Sequence, residues 1–135
     1  MRIVIDTSVL ISALITSNTP PDLLYQAWRE GRFELVTSQA QLDELKRVTG
    51  YKKLQRFISP TDVVDLLSTI DSCAVILPTL PDVFYSPDPN DNHIIAAAMM
   101  GAADLIVSGD KRHLLSLQEV AGIPIITTRQ AIERL

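Results

Sequence analysis

The sequence lacks several features that would assign it to a broad class of protein. Cys73 is the only cysteine, so no disulfide can form within the chain, and a reducing compartment is the simpler expectation. No segment reaches the roughly 18 consecutive apolar residues that a membrane-spanning helix needs. The net charge of −4 does not suggest a protein that coats nucleic acid through a basic surface. These absences predict a soluble, cytoplasmic protein, and they do not exclude an enzyme that acts on nucleic acid through bound metal.

The N-terminal segment lacks the pattern of a secretory signal peptide. Arg2 precedes an apolar run, but Asp6 interrupts that run after three residues, and Ser12 and Thr16 break it again. The chain also has no repeat period, low-complexity tract or long structureless linker. With 135 residues and 47% hydrophobic content, it has the size and composition of one domain with a substantial core. We therefore expect residues 1–135 to form a single domain.

What the chain does contain is a regular alternation of short β-branched runs and helical patterns. The predicted strands are 3–5, 33–37, 74–77, 105–108 and 124–127, and the predicted helices are 22–30, 38–48, 59–72, 90–102, 111–119 and 129–135. Such alternation is typical of an α/β protein, here with a central parallel sheet of about five strands and helices on both faces. Sheets of this kind bind ligands beyond the carboxyl ends of their strands.

Three aspartates are expected at that edge of the sheet. Asp6 ends the first strand, Asp110 follows the fourth, and Asp91 opens the helix that returns from the third. The residues three, four, seven and eight positions after Asp91 are apolar, which directs its carboxylate inward and favours a functional role. For Asp6 and Asp110, a metal ligand and a simple turn or helix cap remain about equally good interpretations.

Other acids are sorted by the direction in which their segments face. Glu44 lies about 70° from the apolar direction of its helix and Asp43 lies nearly opposite, so Glu44 is the inward acid. Glu44 also lies about 9 Å from the start of its helix, so the helix must lean over the site for the side chain to reach it. The alternative is an ordinary glutamate at the boundary between the buried and exposed faces. Asp88 is expected to form the turn before the helix, with a secondary role as a ligand open. Asp104 begins its strand, so we exclude it as lying at the opposite edge.

Grouped carboxylates of this kind predict a metal site. Carboxylates within about 4–6 Å of one another raise each other's pKa and repel, and a divalent cation removes that cost. Mg²⁺ or Mn²⁺ prefers oxygen ligands, and the sequence has no Cys/His cluster that would provide a softer site. Hydrolysis of a phosphodiester is the natural reaction for such a site. Thr7 and Ser8 can hydrogen-bond a carboxylate, a metal-bound water or a phosphate, although capping is their more usual role.

Together these residues resemble the PIN-domain nucleases, many of which are toxins of bacterial and archaeal toxin–antitoxin pairs. The matching segments are VIDTSVLI at 4–11, SQAQLDEL at 38–45, DPNDN at 88–92 and ADLIVSGD at 103–110. They cover nearly the whole chain in the family's order. The resemblance implies a three-layer α/β/α fold, dependence on Mg²⁺ or Mn²⁺, single-stranded RNA as substrate, homodimerisation and, in toxin members, inhibition by an antitoxin protein. It carries acidic-site roles onto Asp6, Glu44, Asp91 and Asp110.

The chain departs from the family pattern at two positions. The family often has Asn where Ser8 stands, and a further Asp two residues after the Gly-Asp, where this chain has Arg112. A fifth acidic ligand is therefore absent. This departure leaves a degenerate PIN domain, which binds RNA or a partner without cutting, as the main alternative. A phosphoacceptor signalling domain is a weaker alternative, because it needs a paired acid near Asp6 and the chain has none there. A dinucleotide-binding domain is also disfavoured, because the Gly-rich turn that it needs after the first strand is absent.

Basic and aromatic residues supply candidates for contact with RNA. Two groups of basic residues, a larger one at 46–56 and a smaller one beside Asp110, could contact the RNA backbone. For the larger group, a solvated helix face is the default interpretation. These residues are Lys46, Arg47, Lys52, Lys53 and Arg56, then Lys111 and Arg112. His93 and His113 lack metal-ligand spacing, and His93 is interpreted as a polar helix residue rather than a general base. Tyr51, Tyr85 and Trp28 could stack on bases, but Trp28 has core spacing.

Overall fold

The strands form where the sequence has short runs of Ile, Leu and Val. The computed structural model describes residues 1–135 and contains six strands in one sheet. The strands are β1 (Arg2–Ile5), β2 (Glu34–Ser38), β3 (Val75–Leu77), β4 (Leu105–Val107), β5 (Glu119–Val120) and β6 (Ile123–Ile126). The run of buried aliphatic residues in β1 and β4 is typical of parallel strands that are covered on both faces.

Eight helices connect and cover these strands. They are α1 (Thr7–Ile15), α2 (Pro20–Arg29), α3 (Gln39–Thr49), α4 (Lys52–Gln55), α5 (Pro60–Cys73), α6 (Pro89–Met100), α7 (Leu114–Leu117) and α8 (Thr128–Glu133). Proline occupies the first turn of α2, α5 and α6, where its missing N–H costs nothing. None of the eight combines the length and hydropathy that a membrane-spanning helix requires.

The order of strands in the sheet determines where a ligand can bind. The order is β3-β2-β1-β4-β6-β5, with every neighbouring pair parallel except β5 and β6. The chain moves outward from β1 through β2 to β3, then returns to the other side of β1 as β4. A crevice opens at such a reversal, outside the carboxyl ends of the two central strands. Asp6 lies there, and its backbone N–H donates to the carbonyl of Val107, 2.9 Å away.

Two hydrophobic clusters lie one on each face of the sheet, between the strands and the helices that cover them. Ile3 and Ile5 of β1 belong to the cluster that is covered by α1, α2, α3, α5 and α8. Val4, between them, belongs to the second cluster, which is covered by α6 and α7. This alternation follows from the two-residue period of a strand, and it gives the three layers, helix, sheet and helix. The predicted α/β/α fold is thereby confirmed.

The structure differs from the sequence-based prediction in four elements, one of which is the short helix α4 (Lys52–Gln55), in a stretch for which no element was predicted. Residues Thr7–Ile15 form α1, which the sequence analysis did not predict. The short strand β5 pairs antiparallel with β6, which makes six strands rather than about five. The helix predicted over 111–119 is reduced to α7, because Asp110 accepts the backbone N–H groups of Arg112 and His113 in a turn, and Gln118 ends the helix with a positive φ of 61°.

Candidate functional site

The four acids that the sequence analysis selected line one cleft at the predicted edge of the sheet. The cleft has a volume of about 400 Å³ and opens to solvent. Its lining consists of Asp6, Thr7, Ser8, Ile11, Glu44, Val48, Asn90, Asp91, His93, Ile94 and Asp110. The acids come from four separate elements or turns, and the parallel topology brings them together.

Asp6 is the most buried of the four acids. It ends β1 and is 6% exposed. One carboxylate oxygen, Oδ1, accepts from the Ser8 hydroxyl and from the Val9 backbone N–H, both at 2.9 Å, so Asp6 also caps α1. The other, Oδ2, accepts from the Ser108 hydroxyl at the end of β4. Burial raises the pKa of Asp6 even though these hydrogen bonds act to lower it.

Glu44 reaches the cleft from α3. Its carboxylate accepts from the Thr7 hydroxyl and lies 3.6 Å from Nε2 of His93. The His93 imidazole is the main cause that lowers the pKa of Glu44, and it outweighs the effect of burial, which alone would raise it. Asp43, the adjacent acid, is exposed and accepts from Gln39. The helical phase of the sequence therefore predicted correctly which of the two acids faces inward.

A buried glutamine holds α3 over the end of the sheet. Gln41 is 1% exposed, and its Nε2 donates to the carbonyl of Ile5 at 2.7 Å. Its Oε1 accepts from the Thr37 hydroxyl at 2.5 Å. These bonds join α3 to the ends of β1 and β2, which gives the lean that Glu44 needs. Gln41 was not predicted from the sequence, where its signal is a polar side chain one turn before Glu44 on the inward face of the helix.

Asp91 lies in the first turn of α6, as predicted. Its Oδ2 accepts from the Ser86 hydroxyl at 3.3 Å, and the side chain is 17% exposed. Burial is the largest cause that raises the pKa of Asp91, followed by the negative charges of Asp88 and Asp110. Asp88 caps α6 by accepting the Asn90 backbone N–H at 3.0 Å, which matches the turn-forming role expected for it. These three acids therefore repel one another.

His113 is a second residue near the acids to which the sequence assigned no role. Its Nδ1 lies 3.0 Å from Oδ2 of Asp110 and 4.0 Å from Oδ2 of Asp91. Burial alone would raise the pKa of Asp110, but the hydrogen bonds from His113 and from the Arg112 backbone lower it. Asp88, Asp91 and His113 each offer a ligand atom within 4.8 Å of the others. The sequence spacing of His113 gave no sign of this arrangement, because the fold rather than proximity in the chain brings it to these acids.

The remaining candidates lie outside the cleft lining. The basic side chains of both groups are exposed: Lys46, Arg47, Lys52, Lys53, Arg56, Lys111 and Arg112. The charge of Arg47 contributes to the lowered pKa of Glu44, so this guanidinium is near the cleft. Trp28 is buried in the core, as its spacing indicated, whereas Tyr51 and Tyr85 are largely exposed. Asp104 accepts from the backbone N–H of Arg2 at 2.8 Å, at the opposite edge.

This arrangement fits a divalent cation. Most of the donors around the cleft are carboxylates, and the pKa of Asp91 is raised partly because its charge is crowded by two others. A cation held between them would relieve that repulsion, and oxygen donors are the ligands that Mg²⁺ and Mn²⁺ prefer. The site has no thiolate, since Cys73 is exposed at the end of α5. The donor set therefore suits a divalent cation.

Comparison with known proteins agrees with this fold. A family model described as a PIN domain matches residues 2–112, which include all four acids of the cleft. The chain is also similar to the uncharacterized protein MJ1680 of Methanocaldococcus jannaschii. The two are 30% identical over 120 residues, which cover 88% of this chain and 76% of that protein.

Proposed function

The chain belongs to the PIN-domain family, and on that premise we propose that it is a metal-dependent endonuclease that hydrolyses phosphodiester bonds of single-stranded RNA. PIN domains are generally nucleases. The observation that carries the proposal is the cleft itself, where Asp6, Glu44, Asp91 and Asp110 come together from distant segments at the reversal of strand order. Around Asp91 the crowding of carboxylates is costly for the metal-free fold, because burial and the charges of Asp88 and Asp110 raise its pKa, and this supports a role in binding cations.

In this proposal the four acids hold Mg²⁺ or Mn²⁺, and neighbouring side chains keep them in position. The cation supplies Lewis acidity towards a phosphoryl oxygen and makes water a better nucleophile at neutral pH. Ser8 orients the carboxylate of Asp6 by donating to it, and Thr7 does the same for Glu44. Asp88 supports Asp91 by capping the helix on which Asp91 lies.

The basic residues would guide the RNA backbone towards the cleft. Lys46 and Arg47 follow Glu44 on α3, and Lys111 and Arg112 follow Asp110, so both pairs flank proposed ligands in sequence. Lys52 and Lys53 extend the first group onto α4. Exposed cations at such positions gain affinity for phosphates by releasing counterions. We propose these six residues as RNA contacts.

The nuclease proposal is tested with a mixed pool of single-stranded RNA. We expect the protein to cut the pool with Mn²⁺ and not with EDTA. Asp91→Asn should reduce the cleavage rate at least about 100-fold, equivalent to ~2.7 kcal/mol of transition-state stabilisation. Asp104→Asn is the matched control, because it makes the same change at the opposite edge of the sheet, and it should cut like the wild type. Cleavage that persists in EDTA, or that is unchanged by Asp91→Asn, would contradict the proposal.

A binding module that does not cut is the second candidate function. Arg112 is exposed at the position where the family often has a further acid, and this departure favours the alternative. The same assay separates the two when it is combined with calorimetric titration of Mn²⁺. Failure to bind Mn²⁺ and failure to cut, in well-folded protein, would favour the binding module. Tight Mn²⁺ binding without cleavage would instead indicate a more selective or partner-gated enzyme.

Further proposals concern partners and organisation, and they depend on the family resemblance. We propose that residues 1–135 act as one nuclease domain, that two copies associate, and that the protein is the toxin of a toxin–antitoxin pair. Light scattering of the purified protein tests the dimer. Growth arrest on expression, reversed by co-expression of a neighbouring small gene and absent in Asp91→Asn, tests the toxin role.

A further inference from the structure

We propose that His113 provides a nitrogen ligand for a second cation position, which it shares with Asp88 and Asp91. The first position is the one that the four acids of the cleft hold in the proposed function, so Asp91 contributes to both. The inference rests on the proposed metal-dependent function, but it concerns only which atoms of this chain bind the cation. It identifies a substitute for the acidic ligand that Arg112 replaces.

The distances among the three side chains suit a single cation. For bonds of about 2.1 Å in octahedral geometry, neighbouring ligand atoms lie about 3.0 Å apart and opposite ones about 4.2 Å apart. The ligand atoms of Asp88, Asp91 and His113 lie within 4.8 Å of one another, and Nδ1 of His113 is 4.0 Å from Oδ2 of Asp91. Small rotations of the side chains would bring all three onto one ion.

Both sides of this second position are held by backbone structure. Asp88 caps α6 and Asp91 lies in its first turn, so these carboxylates are fixed relative to each other. The backbone N–H of His113 donates to Oδ1 of Asp110 at 3.2 Å, and the next residue, Leu114, is buried at 1% exposure. The His113 side chain is 36% exposed, which leaves access for an ion from solvent. The position is thus constrained and reachable.

Electrostatics also favours a cation here. Asp88, Asp91 and Asp110 are three negative charges close together, and the basic group that lies against them is the His113 ring. In the metal-free protein, Nδ1 of His113 forms its contact with Asp110 at 3.0 Å. Neutral imidazole can offer that nitrogen to a metal instead. An ion bound between Nδ1 and Asp91 would supply the positive charge that the acids lack.

A nitrogen ligand affects which metal binds. Imidazole suits first-row transition metals, whereas Mg²⁺ strongly prefers oxygen and six well-placed ligands. We therefore expect the second position to favour Mn²⁺ over Mg²⁺, and the all-carboxylate position to accept either. Replacing His113 by glutamine should reduce the affinity for Mn²⁺ at the second position by at least about tenfold, since even an outer-sphere partner contributes that much.

The experiment uses Mn²⁺ alone as the probe, with pulsed electron paramagnetic resonance to detect nitrogen bound to the ion. The chain has only two histidines, His93 and His113, so any imidazole signal has two possible sources. We expect ¹⁴N modulation of the Mn²⁺ signal in the wild type and in His93→Gln, and its loss in His113→Gln. Calorimetric titration of Mn²⁺ should show two sites in the wild type and the weakened second site in His113→Gln and in Asp88→Asn.

Other outcomes would contradict either the role of His113 alone or the metal-dependent function as well. Mn²⁺ that binds without ¹⁴N modulation, or modulation that is lost in His93→Gln instead, would overturn the role of His113 and leave the nuclease proposal intact. Failure of the wild type to bind Mn²⁺ would overturn both. Circular dichroism of each variant shows that the loss of a signal does not reflect unfolding.

Discussion

The carboxylate of Asp6 has a structural contact on each of its oxygens. Oδ1 caps α1 through Val9, while Oδ2 accepts the Ser108 hydroxyl from the end of β4. Of the two interpretations that the sequence left open, the helix cap is observed, and the position of Asp6 in the cleft leaves its role as a metal ligand a proposal. Because this group is also nearly buried, its replacement would disturb the helix as well as the cleft. Asp91, which is not a helix cap, is the cleaner residue for functional tests.

At Asp91 the pKa shift has a consequence for stability. The pKa in the folded protein is raised above its ordinary value of 3.8 by burial and by the charges of Asp88 and Asp110. A raised pKa means that this group favours folding while it is protonated and disfavours folding once it is ionised. The corresponding stability is present at low pH and is lost as pH rises through the raised pKa.

We predict that Asp91→Asn increases the free energy of unfolding of the metal-free protein near neutral pH. The difference from the wild type should shrink as pH falls towards 3.8, where the wild-type carboxyl becomes protonated. Urea unfolding in EDTA at several pH values measures this. Excess Mn²⁺ should reverse the ranking, because ligand at about 100 times its Kd stabilises the wild type by ~2.7 kcal/mol.

Glu44→Gln is the control with the opposite sign. The pKa of Glu44 is lowered from its ordinary value of 4.5, chiefly by His93. Its ionised form therefore stabilises the fold at pH values above 4.5. Glu44→Gln should therefore destabilise the metal-free protein near neutral pH. The same direction of change in both variants would mean that general disruption of the cleft, rather than charge, is responsible.

At the scale of elements, the close contact between α6 and β2 positions Asp91. Gly101 ends α6 directly above Val36 of β2. A β-carbon at Gly101 would lie 2.5 Å from Cγ1 of Val36 and 2.9 Å from the carbonyl oxygen of Ala97. Both distances are too short for real contacts, and the carbonyl belongs to the helix backbone, which cannot move aside freely. Glycine at this position lets the helix lie directly on the sheet.

We predict that Gly101→Ala destabilises the protein by about 1–3 kcal/mol, the usual cost of overfilling a packed core. Gly50→Ala is the matched control, because Gly50 ends α3 and a β-carbon there would be no closer than 3.4 Å to its neighbours. It should be neutral, or stabilising by a few tenths of a kcal/mol up to about 1. Thermal and urea unfolding measure both. Equal effects of the two substitutions would show that the contact with Val36 is not limiting.

At the scale of the whole molecule, an acidic protein has to attract a polyanion. The net charge is −4, and the proposed cleft concentrates acidic side chains, so bare RNA is repelled from it. Bound cations and the exposed basic groups are the two sources of attraction. Lys52 and Lys53 have no salt-bridge partner, so their charges remain available to phosphates.

We predict that the double substitution of Lys52 and Lys53 by glutamine weakens binding of single-stranded RNA to the Asp91→Asn protein, which we expect to cut RNA too slowly to disturb the measurement. The slope of log affinity against log salt should fall by about 0.7 for each phosphate that the protein no longer neutralises. Arg32→Gln is the control, since Arg32 is exposed just before β2, at the amino edge of the sheet. Filter binding at several salt concentrations gives the slopes. An unchanged slope would place the RNA path elsewhere.

By itself, the sequence determined the local features of this protein. Short apolar runs defined five of the six strands, and the helical phase distinguished Glu44 from Asp43. The position of Asp6, Asp91 and Asp110 at segment ends was enough to place them at one edge. These features follow from side-chain period and from residues that begin or end an element, which depend only on neighbours in the chain.

The tertiary structure decided what depends on distant contacts. Helix α1 contains β-branched and hydroxyl residues that have low intrinsic helix propensity, and burial against the sheet and α2 overrides that preference. The ties from Gln41 to Ile5, and the meeting of His113 with Asp91, join residues whose separation in sequence carries no signal. The first contact exists because β2, which leads into α3, lies beside β1, and the second because β4 returns on the other side of β1 and places the turn after it against the start of α6. Only the order of strands in the sheet specifies both.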